Sequence, residues 1–327
     1  MTDDRLELLL VTYNRAGYLE RALGQLADSP FADRRLTVLD NNSTDATPDV
    51  CRRFEARFPR MEVVRHPRNV GAAANYLRAV ELSRSEYTWI LADDDSFDFS
   101  ACDDVFEALD AGRYDLISVG APGQHDWERG LATTTHELLE RGARFFYAYT
   151  FVPGFIFRTS LFDSECMVLG YRNVANLYPQ MAFLRRAVER DFSVYTSRRQ
   201  LVLRNEDENS NSSLRWLAAW VRSSASLDDR SLRRRAVYEA FGSPRAWVAG
   251  LAQAIAYEKR RHPELVPGEL RDLVAYAGGE QRLAVLALAP LALIPRSVYR
   301  AIAWTWRKLR GLPDADPVSE NDPLRSS

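Results

Sequence analysis

Short apolar runs alternate with stretches of helical spacing from the start of the chain to about residue 120. The runs have the length and apolar content of buried strands, and they predict strands over residues 6–12, 36–40, 61–65, 87–91 and 116–119. Between the runs, apolar side chains recur every three or four residues, as they do over residues 72–83, which predicts helices. This alternation indicates an α/β fold with a mostly parallel sheet that helices cover on both faces.

One helix start is marked by its local chemistry. Thr47 suits the N-cap position of a helix, and Pro48 suits the first turn because no partner is needed there for its missing N–H. Val50, Phe54 and Phe58 follow at intervals of four residues. We therefore expect Thr47 to cap a helix whose first residue is Pro48 and which buries these three side chains.

The pattern becomes less regular after residue 120. It predicts a loop with a helix over residues 121–150, a strand over 155–158 and a second helix over 180–190. Two further strands are predicted over 192–196 and 201–203. The polar run 205–211 predicts a flexible loop, and the pattern is helical from Leu214. We therefore expect an α/β domain over residues 1–210, a helical region over 211–312 and a disordered tail over 313–327.

The composition, with 46% hydrophobic and 27% charged residues, is that of a folded protein. A net charge of -2 gives no general attraction to nucleic acid, which is therefore not an expected partner. Cys51, Cys102 and Cys166 are too widely spaced for a disulfide framework or a zinc motif. The acidic start and the short apolar run Leu8–Val11 argue against a signal peptide or a membrane span at this end, so a cytoplasmic protein is expected.

Three consecutive aspartates, Asp93, Asp94 and Asp95, follow the strand predicted at residues 87–91. Carboxylates this close repel by a few kcal/mol at an effective dielectric of about 20, so solvent or a cation must compensate their charge. Their oxygens are hard ligands that suit Mg²⁺ or Mn²⁺ together with a phosphate. The alternative interpretation is a solvated acidic loop that caps the next helix.

Other polar residues stand at the ends of predicted strands. Asn14 follows the first strand closely, and Asp40 ends the second. In open α/β sheets, ligands bind beyond the carboxyl ends of the strands. We therefore expect Asn14, Asp40 and Asp93 to converge on one edge of the sheet.

Four short motifs in a fixed order carry a family resemblance: Val11–Arg15, Leu39–Asp45, Arg68–Gly71 and Ala92–Asp95. With the motifs in this order and spacing, the chain resembles glycosyltransferase family 2, the inverting nucleotide-sugar transferases of the GT-A fold. The resemblance is strong over residues 5–100, weaker to about residue 205 and absent beyond. It implies that about residues 1–120 bind the nucleotide and residues 121–210 bind the acceptor. The triple aspartate is also similar to that of bacterial abequosyltransferase-like O-antigen transferases, which would imply a deoxysugar donor.

The resemblance also implies roles for individual residues. Asp40 is expected to accept a hydrogen bond from the imide of a pyrimidine, which favours uracil or thymine over a purine. Asp94 and Asp95 are expected to bind Mn²⁺ or Mg²⁺ at the two phosphates, with Asp93 directed toward the ribose. The other expected contacts to the nucleotide sugar are Thr12, Tyr13, Asn14, Arg15, Asn42, Asn69, Gly71 and Asn75.

Two alternatives stay open at these positions. The family commonly reads Asp-X-Asp-Asp after the strand, whereas Ala92 fills the first place here, so the metal ligand is either Asp94 or Asp95. Asp40 with Asn42 could instead shape a turn, and the Asn69–Gly71 segment could instead cap a helix.

The catalytic base is where the chain departs most from the family. Inverting members usually carry a Glu-Asp pair before the helix predicted at 180–190, whereas this chain has Tyr178-Pro179-Gln180. An amide cannot act as a base, and a tyrosine with a pKa near 10 would need a large shift. The base is therefore unassigned among Tyr178, Gln180 and Asp126, with Glu165, Glu206 and Asp207 as further carboxylates.

The C-terminal region predicts contact with a membrane surface. Residues 283–294 are apolar, but they contain Pro290 and are too few to cross a bilayer, which needs about 20. Residues 296–310 combine arginine and lysine with tyrosine and tryptophan and contain no acidic residue. We therefore expect residues 283–310 to lie at the inner face of the cell membrane. The alternative is an ordinary amphipathic helix that packs on the protein.

The leading hypothesis is a metal-dependent glycosyltransferase that acts with inversion. It would move a sugar from a UDP-, dTDP- or CDP-linked donor to a hydroxyl of a polysaccharide, glycolipid or other glycoconjugate. One alternative is a non-catalytic protein that binds nucleotide sugars. The other is a sugar nucleotidyltransferase, although these enzymes usually have a Gly-rich loop after the first strand, which Thr12–Arg15 lacks.

Overall fold

A computed structural model describes residues 5–120, 128–203, 213–241, 243–295 and 298. The chain forms two compact units. The first takes in the chain up to residue 209 together with residues 226–242, and the second takes in residues 210–225 and the chain from residue 243. Each unit has its own buried apolar side chains.

A mixed sheet forms the centre of the first unit. Among the described residues its eight strands follow the order β3-β2-β1-β4-β8-β6-β9-β7. They are β1 (Leu6–Thr12), β2 (Arg35–Asp40), β3 (Met61–Arg65), β4 (Tyr87–Ala92), β6 (Leu116–Ser118), β7 (Ala132–Thr134), β8 (Phe155–Arg158) and β9 (Ser193–Thr196). Strands β1 to β4 are parallel, as are β6 and β9, whereas β8 and β7 are antiparallel to their neighbours. The predicted α/β fold with a mostly parallel sheet is confirmed.

Helices flank this sheet and connect its strands. In the first unit they are α1 (Ala16–Ala27), α2 (Thr47–Phe54), α3 (Ala72–Leu82), α4 (Asp103–Ala111), α5 (Thr135–Glu140), α6 (Phe145–Ala148), α7 (Ser164–Arg172), α8 (Met181–Glu189) and α10 (Arg230–Glu239). Short 3₁₀ turns occur at Glu55–Arg57, Val152–Gly154, Thr159–Leu161 and Val174–Asn176.

The start of α2 differs from the prediction by one residue. Ala46 precedes the helix without a side-chain cap, and Thr47 is its first residue. The Thr47 N–H is instead satisfied by the carboxylate of Asp45, Oδ1, at 3.0 Å. The predicted apolar face is confirmed, since Val50, Phe54 and Phe58 are all buried, although Phe58 lies beyond the helix end.

Two short strands were not predicted. Strand β5 (Ser96–Phe97) pairs antiparallel with β10 (Val202–Leu203), and β7 lies within the segment predicted as a loop and a helix. Strands of two or three residues contain too few side chains to show a period, and only a partner that is distant in sequence stabilises them.

The central strands of the sheet are mostly apolar on both faces because helices cover both faces, whereas the edge strand β3 is partly exposed. Leu8, Leu9 and Leu10 of β1 are all fully buried. Trp89 of β4 lies 5.3 Å from the ring of Phe31, centre to centre, and its indole N–H donates to the carbonyl of Pro153. This packing fixes the positions of the strands and therefore of their ends.

The register of the parallel strands aligns their carboxyl ends. Thr12 of β1 is paired with Asp40 of β2, which is paired in turn with Arg65 of β3. On the other side of β1, Val11 is paired with Ala92 of β4. The polar residues that follow these strands therefore start from one row along a single edge of the sheet.

The second unit is helical in the part of it that the structure describes. Its helices are α9 (Leu214–Ser224), α11 (Pro244–Arg261), α12 (Val266–Tyr276) and α13 (Gly279–Leu288), and a 3₁₀ helix follows over Ala289–Leu293. They enclose Trp220, Trp247 and Leu251. The Leu214 N–H at the start of α9 donates to the buried carboxylate of Glu258 on α11 at 3.1 Å. None of the described helices combines the length and the apolar content that crossing a bilayer requires.

Candidate active site

The ends of β1 and β4 are joined by a buried side-chain contact. The Thr12 hydroxyl donates to Asp93 Oδ2 at 2.6 Å, and both residues are almost fully buried. The Thr12 carbonyl accepts a hydrogen bond from the Asn41 N–H at 3.0 Å. Thr12 therefore connects the strand ends of the first, second and fourth strands rather than exposing its backbone at the edge.

Arg15 lies over the aspartate cluster. Its guanidinium Nη1 is 2.5 Å from Asp94 Oδ2 and 3.4 Å from Asp93 Oδ1. Arg15 directly precedes α1. Its contacts with Asp93 and Asp94 bring the motif Val11–Arg15 together with the motif Ala92–Asp95. A cation thus compensates the like charges of Asp93 and Asp94, as their proximity requires.

Asp93 is the most buried of the three aspartates. Burial raises its pKa to about 7, and the negative charge of Asp94 adds to the rise, while the Thr12 hydroxyl and the Arg15 charge oppose it. Asp93 therefore titrates near neutral pH in this arrangement. A further cation close to the cluster would favour its ionised form.

The loops after β1 and β2 are tied together. The Asn14 N–H donates to the Ser43 hydroxyl at 2.9 Å, and the Asn14 side-chain carbonyl accepts from the Thr44 N–H at 2.7 Å. Asp45 adds a link, since its Oδ2 accepts from the N–H of Ala16 at the start of α1 at 3.0 Å. Partial burial acts to raise the pKa of Asp45, but hydrogen bonds from Thr47 and Ala16 outweigh it and lower the pKa.

The Asn14 backbone adds a second constraint to this link. Its φ of 51° is in the left-handed region, which asparagine tolerates better than most residues. Asn14→Ala should lose the hydrogen bond to Thr44 and strain the backbone, so we expect unfolding free energy to fall by about 1–3 kcal/mol. Asn14→Gly keeps the backbone freedom and should lose less. Denaturant titration checks the order, and equal losses in the two variants would contradict the backbone argument.

Asp40 lies at the base-binding end expected from the family resemblance. It is 1% exposed, and its Oδ1 accepts a hydrogen bond from the Ser43 N–H at 2.8 Å. Arg65 lies beside it, with Nε 3.6 Å from Asp40 Oδ2. Asn42 follows with a φ of 67°, so the chain turns sharply after Asp40. Asp40 therefore shapes the turn and also stands next to a positive charge.

The loop after β3 is held against Asn41. Its Nδ2 donates to Asn69 Oδ1 at 2.8 Å, and its Oδ1 accepts from the Val70 N–H at 2.9 Å. Gly71 precedes α3 with a φ of 82°, a conformation that favours glycine. Asn75 is buried in α3 and contacts the ring of His66, Nε2 to Oδ1, at 2.8 Å. Asn69 and Gly71 are exposed, and Asn69 contacts the residue after Asp40, whereas Asn75 is buried against His66.

The acidic cluster fits a divalent ion that is bound together with a phosphate. Over the described part of the chain, no group of three or more His, Cys, Asp or Glu side chains is arranged to hold a metal. Asp93 and Asp94 nevertheless converge on one cation, the Arg15 guanidinium, and Asp95 follows them, half-buried. Mg²⁺ is typically held by one or two carboxylates, while substrate phosphates and water complete its shell.

The predicted base residues are placed less favourably. Tyr178 is 4% exposed, and burial raises its pKa well above 10, which opposes loss of its proton. Gln180 precedes α8 and is also buried, and its neutral amide does not take up a proton. Neither side chain is suited to deprotonate an acceptor hydroxyl.

The other carboxylates divide into two groups. Glu165 is exposed and accepts a hydrogen bond from Arg186 Nη2 at 2.7 Å, as in an ordinary surface ion pair. Asp126, Glu206 and Asp207 lie outside the described residues. Asp126 therefore stays a prediction.

Several residues of this edge were missed by the sequence reasoning. Asn41 and Ser43 bind the neighbouring loops, although both stand inside the quoted motif Leu39–Asp45. Arg65 and His66 end β3 or follow it directly, so the rule that placed Asn14 at the sheet edge would also have found them.

Comparison with known proteins supports the resemblance. The model for "Glycosyl transferase family 2" matches residues 8–192, more than half of the 327 residues, and the match includes all four motifs. EpsH of Bacillus subtilis (strain 168) is 24% identical over 105 residues, which are 32% of this chain and 30% of EpsH. The validoxylamine A glucosyltransferase of Streptomyces hygroscopicus subsp. jinggangensis is 46% identical over 55 residues, 16% of this chain and 13% of that enzyme. The chain thus matches less than a third of the length of these relatives.

A solved structure shares the fold. The crystal structure of S. aureus TarS 1-349 in complex with UDP-GlcNAc superimposes with a TM-score of 0.57 at 16% identity, over 97% of this chain and 95% of that chain. At this identity the likeness shows the fold, which is GT-A. Because the family model covers more than half of its residues, the chain belongs to glycosyltransferase family 2.

Proposed function

We propose that this chain is a metal-dependent glycosyltransferase that moves a sugar from a UDP-, dTDP- or CDP-linked donor to a hydroxyl, with inversion. The acceptor is a polysaccharide, a glycolipid or another glycoconjugate. The observation that carries the proposal is the single row of strand ends that contains Asp40, Thr12 and Ala92, with Asp93 and Asp94 directly beyond it. Membership of the family and the UDP-GlcNAc in TarS support a nucleotide-sugar donor.

The two ends of this row suit the two ends of a nucleotide sugar. At one end, the buried carboxylate of Asp40 accepts a hydrogen bond from the base, and such a bond is stronger in a buried site than in water. At the other end, Asp94 and Asp95 would hold a divalent ion, together with the diphosphate. When bound there, the ion supplies positive charge that stabilises the leaving diphosphate.

The remaining side chains of the row position these groups. Thr12 holds Asp93, and Asn14 ties the two loops that flank the nucleotide. Arg15 adds a permanent positive charge beside the diphosphate end. The acceptor of the hydroxyl proton stays unassigned among Asp126, Glu206 and Asp207, since Tyr178 and Gln180 do not suit that role.

A donor panel tests the proposal. UDP, dTDP or CDP release is measured from pyrimidine nucleotide sugars, with and without Mn²⁺, in the presence of glycolipid and polysaccharide acceptors. We expect release that depends on both the metal and an acceptor. Metal-dependent nucleotide binding without any turnover would instead indicate a non-catalytic binding protein. The missing carboxylate near Tyr178 favours this alternative. Formation of a nucleotide sugar from a nucleoside triphosphate and a sugar phosphate would indicate a nucleotidyltransferase.

We also propose a membrane surface as a partner of the second unit. Leu283 and Leu286 on α13 and Leu293 in the next 3₁₀ helix are 68%, 52% and 83% exposed. The sequence that follows, residues 296–310, is basic and rich in aromatic side chains. Exposed leucines next to such a sequence fit an anionic lipid surface, because the apolar side chains enter the interface while the basic ones meet the head groups. Such a surface would also contain a lipid-linked acceptor.

Vesicle flotation of the full chain checks this partner. We expect Leu293→Asp to weaken binding to vesicles that contain phosphatidylglycerol by about tenfold, since burial of one leucine contributes about 1.5–3 kcal/mol. Val168→Asp is the matched control, because Val168 is 53% exposed on α7 of the first unit. Equal binding of the two variants would count against an anionic lipid surface. So would binding of the wild type to neutral vesicles that equals its binding to vesicles with phosphatidylglycerol.

A further inference from the structure

The guanidinium of Arg15 lies where the proposed metal ion has to bind. Its Nη1 is 2.5 Å from Asp94 Oδ2 and 3.4 Å from Asp93 Oδ1. A divalent ion that joins Asp94 to a diphosphate needs the same carboxylate. A guanidinium and a divalent ion that contact the same carboxylate repel each other strongly, and partial burial of the carboxylates increases this repulsion. Arg15 and the metal ion therefore compete for Asp94.

Rotation of its side chain would bring the Arg15 guanidinium to another position. Arg15 directly precedes α1, whose first turn is closed by the hydrogen bond from the Leu19 N–H to the Arg15 carbonyl at 2.9 Å. This bond holds the backbone, while the long side chain can rotate about its own bonds. In the position that contacts Asp94, its Cζ also lies 5.8 Å from the centre of the Tyr18 ring, within the range of a cation–π contact. A bound diphosphate would offer a stronger partner, since a guanidinium binds phosphate oxygens in pairs.

We propose that Arg15 is an internal counter-ion that holds the metal position before the donor binds, and that it moves to the donor diphosphate when the metal ion enters. This inference rests on the proposed function. It makes Arg15 a positioning residue, because its guanidinium stays protonated and transfers no proton. The metal ion then binds weakly alone and tightly with a nucleotide, because the diphosphate both supplies ligands and removes the competitor.

Direct binding of Mn²⁺ to the full chain tests this exchange. Electron paramagnetic resonance counts free Mn²⁺ in titrations of the wild type, Arg15→Gln and the control Arg21→Gln. Arg21 is on the same helix, with its Cζ 4.7 Å from the Tyr18 ring, and its replacement changes the net charge equally. We expect Arg15→Gln to bind Mn²⁺ alone about tenfold more tightly than the wild type, a typical size for coupling between sites. Arg21→Gln should bind it like the wild type.

A second titration measures the coupling, with UDP as the probe. The Mn²⁺ dissociation constant without UDP is divided by the constant with UDP, and this ratio measures the coupling. The ratio should be lower in Arg15→Gln than in the wild type, by about the factor that its affinity for Mn²⁺ alone gains, because Arg15 competes with Mn²⁺ only before UDP binds. Unchanged or weaker binding of Mn²⁺ alone by Arg15→Gln overturns the inference. If circular dichroism shows that this variant is unfolded, Arg15→Lys replaces it, and its shorter side chain should give a smaller gain in the same direction.

Asp94→Asn in the same titration separates this inference from the proposed function. If Asp94→Asn and Asp95→Asn both leave Mn²⁺ binding unchanged, the proposed metal site is wrong. If Asp94→Asn removes Mn²⁺ binding while Arg15→Gln behaves like the wild type, the metal site stands and the exchange with Arg15 fails.

Discussion

Asp94→Asn is expected to lower kcat/KM by about a thousandfold or more. The ion at Asp94 would stabilise negative charge that grows on the diphosphate only as the glycosidic bond breaks, and loss of such a contact typically costs two to three orders of magnitude or more. An asparagine keeps the size of the side chain but loses the charge that attracts the ion. The loss should therefore appear mainly in kcat, with the midpoint of thermal unfolding little changed.

The matched control for Asp94 is Asp103→Asn. Asp103 is also an aspartate close to the cluster in sequence, but it is exposed in the first turn of α4. Asp95→Asn shows which carboxylate is the main ligand of the metal ion. Replacement of the main ligand should cause the larger loss of kcat/KM. A wild-type rate for both Asp94→Asn and Asp95→Asn would show that the metal site lies elsewhere.

Asp40→Asn is expected to raise the dissociation constant for a uracil or thymine nucleotide by about a hundredfold. A hydrogen bond to a charged group contributes about 1.5–3 kcal/mol, and a buried donor left without a partner costs more. The asparagine carbonyl can still accept the bond from the Ser43 N–H, which measures 2.8 Å in the wild type, so the turn should keep its shape. The change thus removes charge from the base-binding end without removing the loop.

Nucleotide titration by calorimetry checks this effect without any need for turnover. Asp49→Asn serves as the control, because Asp49 is an exposed aspartate on the neighbouring α2. The titration uses UDP, dTDP and CDP in turn. Equal affinities of Asp40→Asn and the wild type for all three nucleotides would remove Asp40 from base recognition and leave it a turn residue.

The sequence predicted the strands of the site well. The predicted bounds of β1, β3 and β8 are those of the structure, and those of β2 and β4 differ by one residue. Of these strands, β1, β2, β4 and β8 are buried on both faces, so most of their side chains are apolar and the runs end at polar residues, whereas the edge strand β3 is only partly buried. The convergence of Asn14, Asp40 and Asp93 followed from the parallel arrangement alone.

Contacts between distant residues were not predictable in the same way. Thr12 donates to Asp93, and Asn14 binds Ser43 and Thr44, but no local pattern indicates which polar groups meet across two loops. The burial of Tyr178 is a similar case. Its position before a helix was evident, whereas its loss of suitability as a base depends on the packing around it.

The sequence by itself determined the α/β class, the strand ends and the four motifs, because each of these depends on residue types that are close along the chain. The tertiary structure alone decided that Arg15 meets Asp94, that Asp93 titrates near neutral pH and that Tyr178 is buried. These properties arise from distances and burial, which only the packing of remote segments sets.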